Sequence, residues 1–256
     1  MIADGLDLGG QVAVVTGGSR GIGRAISVGL AEAGASVVPT SRTMEDVESA
    51  VAAVEETSSE ALAVTTDVAE EESVEALYDA VDDAFDRLDV IVNTAGINPA
   101  AALGKPKDVT MEAFDTSIDV NLRGAFLCSK LGGERLLESG GGSVINVASV
   151  SGLVGLPRQH PYVSSKHGLV GLTKSLALDW APDVRVNALA PGYVVTDLTE
   201  PILENDDLYE SIIDRTPIER FADPEEIAGP AVFLASDLAS FMTGSCLVVD
   251  GGWTTR

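Results

Sequence analysis

Four apolar residues, Val12-Ala13-Val14-Val15, run directly into Thr16-Gly17-Gly18-Ser19-Arg20-Gly21-Ile22-Gly23. A helical spacing of Ala25, Ile26, Leu30 and Ala31 then continues to Gly34. The apolar run is too short for a helix and rich in valine, as expected of a buried parallel strand. Strand, glycine-rich turn and helix, in that order, aim backbone N–H groups and a positive helix end at a pyrophosphate. The glycines are spaced T-G-x-x-x-G-x-G, through Gly17, Gly21 and Gly23, rather than G-x-G-x-x-G.

The same alternation continues along the chain. Strands are predicted over 36–40, 61–66, 88–92, 144–147, 184–188 and 246–249, with Pro39 weakening the ladder of its strand. Helices are predicted over 45–57 and 161–180. A further helix is predicted to turn Val74, Leu77, Val81, Ala84, Phe85 and Leu88 toward the core. Strands alternating with helices imply right-handed crossovers and an α/β doubly wound (Rossmann) parallel sheet of about seven strands, with helices on both faces. The 256-residue length fits a single domain, 1–256. Ligands of such sheets sit outside the carboxyl ends of the strands, where Gly17, Asn93 and Ser149 fall.

Beyond the fifth strand stand Ser149 and, in Tyr162-Val163-Ser164-Ser165-Lys166, a tyrosine and a lysine four residues apart. At that spacing the two share a helix face. An ammonium beside a phenol favours the phenolate and is expected to pull the tyrosine down from about 10 toward the working range of an acid/base catalyst. A serine hydroxyl nearby can hydrogen-bond a carbonyl or alkoxide oxygen, which is what a ketone needs to accept hydride.

Together the glycine turn and the Ser149, Tyr162, Lys166 set resemble the classical short-chain dehydrogenase/reductase family. Further elements follow in order: Asp67-Val68, Asn93-Thr94-Ala95-Gly96, Asn121, Pro191-Gly192-Tyr193-Val194-Val195-Thr196 and Asp250-Gly251-Gly252. Thr94 departs from the family's second asparagine. The resemblance implies a catalytic tetrad of Asn121, Ser149, Tyr162 and Lys166, with Asn121 positioning Lys166. It implies a nicotinamide dinucleotide on Gly17, Ser19, Arg20, Gly21, Ile22 and Gly23, with Asp67 and Val68 at the adenine. Asn93, Ala95 and Gly96 follow, then Tyr162 and Lys166 at the nicotinamide ribose, and Pro191, Gly192, Val194 and Thr196 along the nicotinamide. It also implies a homotetramer.

The segment after the second strand, Pro39-Thr40-Ser41-Arg42-Thr43, carries no carboxylate before Glu45. NAD enzymes place an acid there for the ribose 2′-hydroxyl, whereas cations hold the 2′-phosphate of NADP. Ser41, Arg42 and Arg20 are therefore expected to form a phosphate clamp, favouring NADP with NAD possible. No metal is expected: His160 and His167 are the only histidines, and no ligand cluster surrounds them.

Substrate selection falls to the segments after Gly96, Ser149 and Gly192. Asn98, Ser151, Gln159, His160 and Tyr193 are the candidate substrate contacts, and they suit a hydroxylated molecule such as a sugar acid or polyol. Leu153, Val154, Leu156 and Pro157 equally suit an apolar slot, which leaves a 3-oxoacyl thioester (acetoacetyl-CoA type) open. A chain that binds dinucleotide without catalysis, as a sensor, is the reading from another class, and the filled tetrad argues against it.

Forty acidic residues stand against sixteen basic ones, a formal net charge of −24. That excludes nucleic acid and anionic membranes as partners. Self-repulsion of this size fades when salt shortens the Debye length to ~3 Å at 1 M, so a halophilic, salt-rich cytoplasm is expected. Cys128 and Cys246, far apart in apolar surroundings, are expected to be buried free thiols, which with no signal sequence indicates a cytoplasmic protein. Residues ahead of Leu8 and Gly140-Gly141-Gly142 read as flexible.

Overall fold

The computed structural model describes residues 4–255. Among these residues, seven strands and nine helices follow in the order β1 (Val12–Thr16), α1 (Gly21–Glu32), β2 (Ser36–Ser41), α2 (Met44–Glu55), β3 (Val64–Thr65), α3 (Glu71–Phe85), β4 (Val90–Asn93), α4 (Met111–Ile118), α5 (Ala125–Glu138), β5 (Gly142–Val147), α6 (His160–Trp180), β6 (Val184–Pro191), α7 (Glu200–Leu203), α8 (Asp206–Ile213), α9 (Glu225–Ala235) and β7 (Cys246–Val249). All strands are parallel in one sheet of order β3-β2-β1-β4-β5-β6-β7. The order reverses between β1 and β4, and the crevice opened there is where doubly wound sheets bind their ligands.

The period-two alternation of the strands sorts the core into two layers. Ala13, Val15, Ile145 and Leu189 pack with Ile26 and Leu30 of α1 and with Ile227 and Leu234 of α9. Val12, Val14, Ile91, Val144 and Val186 face the other way, onto Val74 and Val81 of α3, Leu136 of α5 and Leu176 of α6.

Several elements differ from their expected form. Pro39 lies in β2 opposite Val15, with no N–H to give toward β3. The β2–β3 ladder accordingly breaks there: Val37 bridges Ala61, and pairing resumes only at Thr40↔Val64, so the expected 61–66 strand shrinks to two residues. α3 buries Tyr78 rather than Ala84, which is exposed. Helix α3 ends at Phe85 with Asp86 left-handed, φ 53°, so Leu88 reaches the core from outside the helix. Cys128 is buried, but Cys246 is only half-buried on the edge strand. Ahead of Leu8, Asp4–Leu6 form a 3-10 turn, and residues 1–3 lie outside the described residues. Gly142 is already strand; Gly140 and Gly141, at φ 98° and 114°, make the turn before it. Among the described residues no helix is long and apolar enough to cross a membrane, and no cluster of three His, Cys, Asp or Glu side chains could hold a metal.

Candidate active site

Gly17 leaves β1 at φ +65°, and a Cβ there would stand 2.8 Å from the Cα of Ala95. A Cβ on Gly23 would fall 2.1 Å from the carbonyl oxygen of Gly17. Only glycine lets the first turn of α1 sit this close to β1 and β4. Helix α1 starts after Arg20, whose side chain makes no capping bond, so the first-turn N–H groups lack a side-chain acceptor. Ser19 is buried in the turn, Ile22 half-buried, and the Ser41 hydroxyl at the end of β2 is buried without a partner. Uncapped amides, a cradle with no Cβ and an orphaned hydroxyl fit the phosphates and ribose of a dinucleotide.

Of the two arginines expected at a 2′-phosphate, Arg20 reaches Asp197 at 3.4 Å, both side chains largely exposed, and Arg42 is exposed beyond β2. Asp197 follows Thr196, whose methyl would lie 3.1 Å from a Cβ on Gly21. The segment after β6 therefore rests on the glycine turn, and a carboxylate is the available partner for the guanidinium. Asp67 keeps Oδ1 on the Ala69 N–H at 3.0 Å. Val68 and Val194 are both core residues. Asn93 turns away from the crevice: its Nδ2 donates to Asn146 Oδ1 and Ser129 Oγ, each at 2.9 Å, tying β4 to β5 and α5. Gly96 follows Ala95, and Gly192 packs so tightly on Asp250 that a Cβ would meet its Cα at 2.8 Å. Thr94 Oγ1 is buried without a partner, at the position where the sequence departs from the family.

At the end of β5, Ser149 is fully extended (φ −177°) and caps a 3-10 turn, Val150–Gly152. Its Oγ accepts from the Ser151 N–H at 3.2 Å and from the Ser151 hydroxyl at 2.8 Å. The Tyr162 hydroxyl, from the first turn of α6, is hydrogen-bonded to Ser149 and Ser151. Burial pushes the Tyr162 phenol above its ordinary value; the Ser149 bond opposes this, nearby Tyr193 adds to it, and Ser151 opposes it. Lys166 donates to the Val147 carbonyl at 2.8 Å and lies 5.7 Å from the Tyr162 ring centroid. Burial lowers its ammonium to about 8. The expected depression of Tyr162 by Lys166 is thus absent here: desolvation disfavours both charged forms, and the ammonium is engaged by a backbone carbonyl.

Asn121 lies in a π-helical segment, Asp119–Gly124, between α4 and α5. Its Oδ1 accepts from the Ile97 N–H at 2.7 Å, and its Nδ2 donates to the Ile97 carbonyl at 2.9 Å and to Ser165 Oγ at 3.1 Å. The carboxamide thus holds the 97 loop and α6 rather than Lys166 itself. A Cβ on Gly96 would stand 3.5 Å from both Asn121 Oδ1 and Lys166 Nζ, so a bare backbone separates the two.

At the lip, Asn98 donates to Gln159 at 3.0 Å, and Asn98 Oδ1 and His160 Nε2 are buried without partners. Tyr193 lies tilted against Phe221 (5.3 Å between centroids) and edge-on to Trp253 (5.8 Å), in an apolar cluster that includes Val150, Val154, Leu156 and Ile212. Ser151, expected to touch substrate, is completely buried, with its hydroxyl turned to Ser149. Asn146 and Asp197 were missed by sequence reasoning. A lone asparagine inside the apolar β5 is a legible signal for the first; nothing local marks the second.

The family model for enoyl-(acyl carrier protein) reductases matches residues 17–254. A 2,5-dichloro-2,5-cyclohexadiene-1,4-diol dehydrogenase from Sphingobium indicum is 43% identical over 251 residues, covering 97% of this chain and 98% of that protein. A 3-oxoacyl-[acyl-carrier-protein] reductase from Synechocystis is 40% identical over 245 residues, 94% of this chain and 96% of that protein. The crystal structure of a gluconate 5-dehydrogenase from Burkholderia cenocepacia, in complex with NADP and tartrate, superposes with a TM-score of 0.95 at 32% identity over all of both chains. The chain therefore belongs to the short-chain dehydrogenase/reductase family, nicotinamide-dependent oxidoreductases acting on CH–OH groups.

Proposed function

We propose that the chain works as one dinucleotide-binding and catalytic domain, moving hydride between NADP(H) and a secondary alcohol or ketone of the sugar-acid or polyol class. The observation that carries the chemistry is the Ser149–Tyr162 hydroxyl pair, held beside Lys166 at the carboxyl end of β5. The dinucleotide supplies the hydride acceptor or donor. In oxidation Tyr162 takes the proton from the substrate hydroxyl, and in reduction it returns that proton to the carbonyl oxygen. Ser149 hydrogen-bonds the same oxygen and stabilises its developing charge. Lys166 holds the nicotinamide ribose hydroxyls, and Asn121 fixes the 97 loop against α6.

The orphaned Asn98 Oδ1 and His160 Nε2 support a substrate with several hydroxyls. Ser41, Arg42 and the missing carboxylate after β2 support NADP over NAD, which requires Arg20 to leave Asp197 when it turns to a 2′-phosphate. The apolar cluster around Val154, Leu156 and Tyr209 supports a second reading, reduction of a 3-oxoacyl thioester. Fully exposed Phe241 and four-fifths exposed Leu178 support assembly into a homotetramer, and the acidic surface supports a salt-rich cytoplasm.

The test is turnover in about 2–3 M KCl, where screening is strong. Sugar acids and polyols are offered with NADP+ or NAD+, and acetoacetyl thioesters with NADPH or NADH. Oxidation of a sugar acid or polyol is the expected result, and Tyr162→Phe should slow it at least about a hundredfold. Thioester reduction alone would replace the substrate class; dinucleotide binding without any turnover would favour the sensor.

A further inference from the structure

The Ser149 hydroxyl can serve the substrate oxygen only if its proton is aimed outward. A serine oxygen has one proton to give and two lone pairs to receive. Both lone pairs of Ser149 are filled from a single residue, by the Ser151 N–H at 3.2 Å and the Ser151 O–H at 2.8 Å. The first contact follows from the backbone, since an extended Ser149 at the head of the 3-10 turn presents its oxygen to the amide two residues on. The second depends on the Ser151 side chain, which is fully buried, so bulk water cannot replace it. The turn is itself pinned: a Cβ on Gly152 would lie 2.7 Å from the Lys166 carbonyl oxygen, leaving no slack between the turn and α6.

We propose that Ser151 is a positioning residue whose hydroxyl saturates Ser149 as an acceptor and so commits Ser149 to donating outward. With both lone pairs occupied, Ser149 can only give its proton, to the Tyr162 oxygen in the free chain and to the substrate oxygen in turnover. Without the Ser151 hydroxyl, one lone pair of Ser149 opens. Tyr162 then donates to Ser149, and the proton meant for the substrate carbonyl is directed at the wrong oxygen. Ser151 thus acts chiefly through Ser149, beside its own bond to the Tyr162 hydroxyl, and does not touch substrate. This inference rests on Ser149 and Tyr162 performing the chemistry proposed above.

The experiment is a double-mutant cycle on kcat and KM, using the substrate that the wild-type enzyme turns over best and saturating dinucleotide. Ser151→Ala is expected to lower kcat about tenfold with KM within about twofold, and Ser151→Thr, which keeps the hydroxyl, to restore most of the rate. In a Ser149→Ala background, Ser151→Ala should cost clearly less than the tenfold it costs alone, because one of its two targets is gone and only its bond to Tyr162 remains. A wild-type rate for Ser151→Ala, failure of threonine to rescue, or full additivity in the double mutant would each overturn the inference. Should Ser151→Ala not fold, Ser151→Cys keeps the volume, weakens the donor and carries the same expectations. If Ser149→Ala and Tyr162→Phe both retained full turnover, the underlying catalytic reading would fail, an outcome distinct from any result at Ser151.

Discussion

At the scale of single residues, the identities and spacing of Ser149, Tyr162 and Lys166 were legible because helix geometry alone places positions four apart on one face. Their electrostatics were not. Whether a lysine lowers a neighbouring phenol depends on how dry both groups are, and burial is decided by the 3-10 turn, Val147 and Tyr193. The result carries a pH signature. Lys166 releases its proton near 8 in the folded chain, against 10.5 as its ordinary value. Between those pH values the unfolded chain holds a proton that the folded chain has lost, so the lysine's contribution to stability rises with pH. Below about 8 the buried ammonium is a cost. Lys166→Met should therefore stabilise the free protein most near neutrality, with the gain shrinking by pH 10, as read from melting temperatures across that range. A gain that grew with pH would show that the ammonium is favourably solvated in place.

At the scale of elements, strand and helix order could be read from periodicity, but the ends could not. The β3 edge was overestimated because the gap opposite Pro39 arises only once β2 has β1 on one side and must bond β3 on the other. In α3 the buried face includes Tyr78, a residue whose polar tip hides its apolar body from a simple count. Its hydroxyl donates to the Cys128 carbonyl at 2.8 Å, and the Arg135 guanidinium covers its ring at 5.3 Å. The carboxyl end of α9 shows a similar long-range solution. Arg185 of β6 donates to the carbonyls of Leu234, Ala235, Ser236 and Ala239. A cation at that helix end satisfies oxygens that have no partner within the helix. Arg185→Met should cost about 2–3 kcal/mol in denaturant unfolding, and Arg185→Lys somewhat less. A loss under about 0.5 kcal/mol would mean that water takes over those carbonyls.

At the scale of the whole molecule, the doubly wound sheet followed from the alternation of elements, and the crevice at the β1/β4 reversal follows from the observed strand order. What the sequence could not supply is which acids find partners. Arg135 pairs with Asp79 and Asp82, Lys130 with Glu71, and Arg220 with Glu226. Forty carboxylates against sixteen cations still leave a large negative excess that repels itself, so the melting temperature should climb by about 10 °C or more between 0.1 and 2 M KCl. A flat profile would mark an ordinary acidic enzyme. The all-parallel sheet has a consequence of another kind. No strand can zip onto its neighbour through a hairpin, and even the first amide of β1, on Val12, finds its acceptor, Asp89, 77 residues further along the chain. Each ladder must await a closed crossover, so the unfolded chain has to contract before it has any paired strand to hold it together. In dilute buffer that contraction draws together unpaired carboxylates while nothing yet opposes them. Refolding is thus the step where a shortage of counterions would be felt first, as a slower rate of assembly ahead of any change in the finished fold.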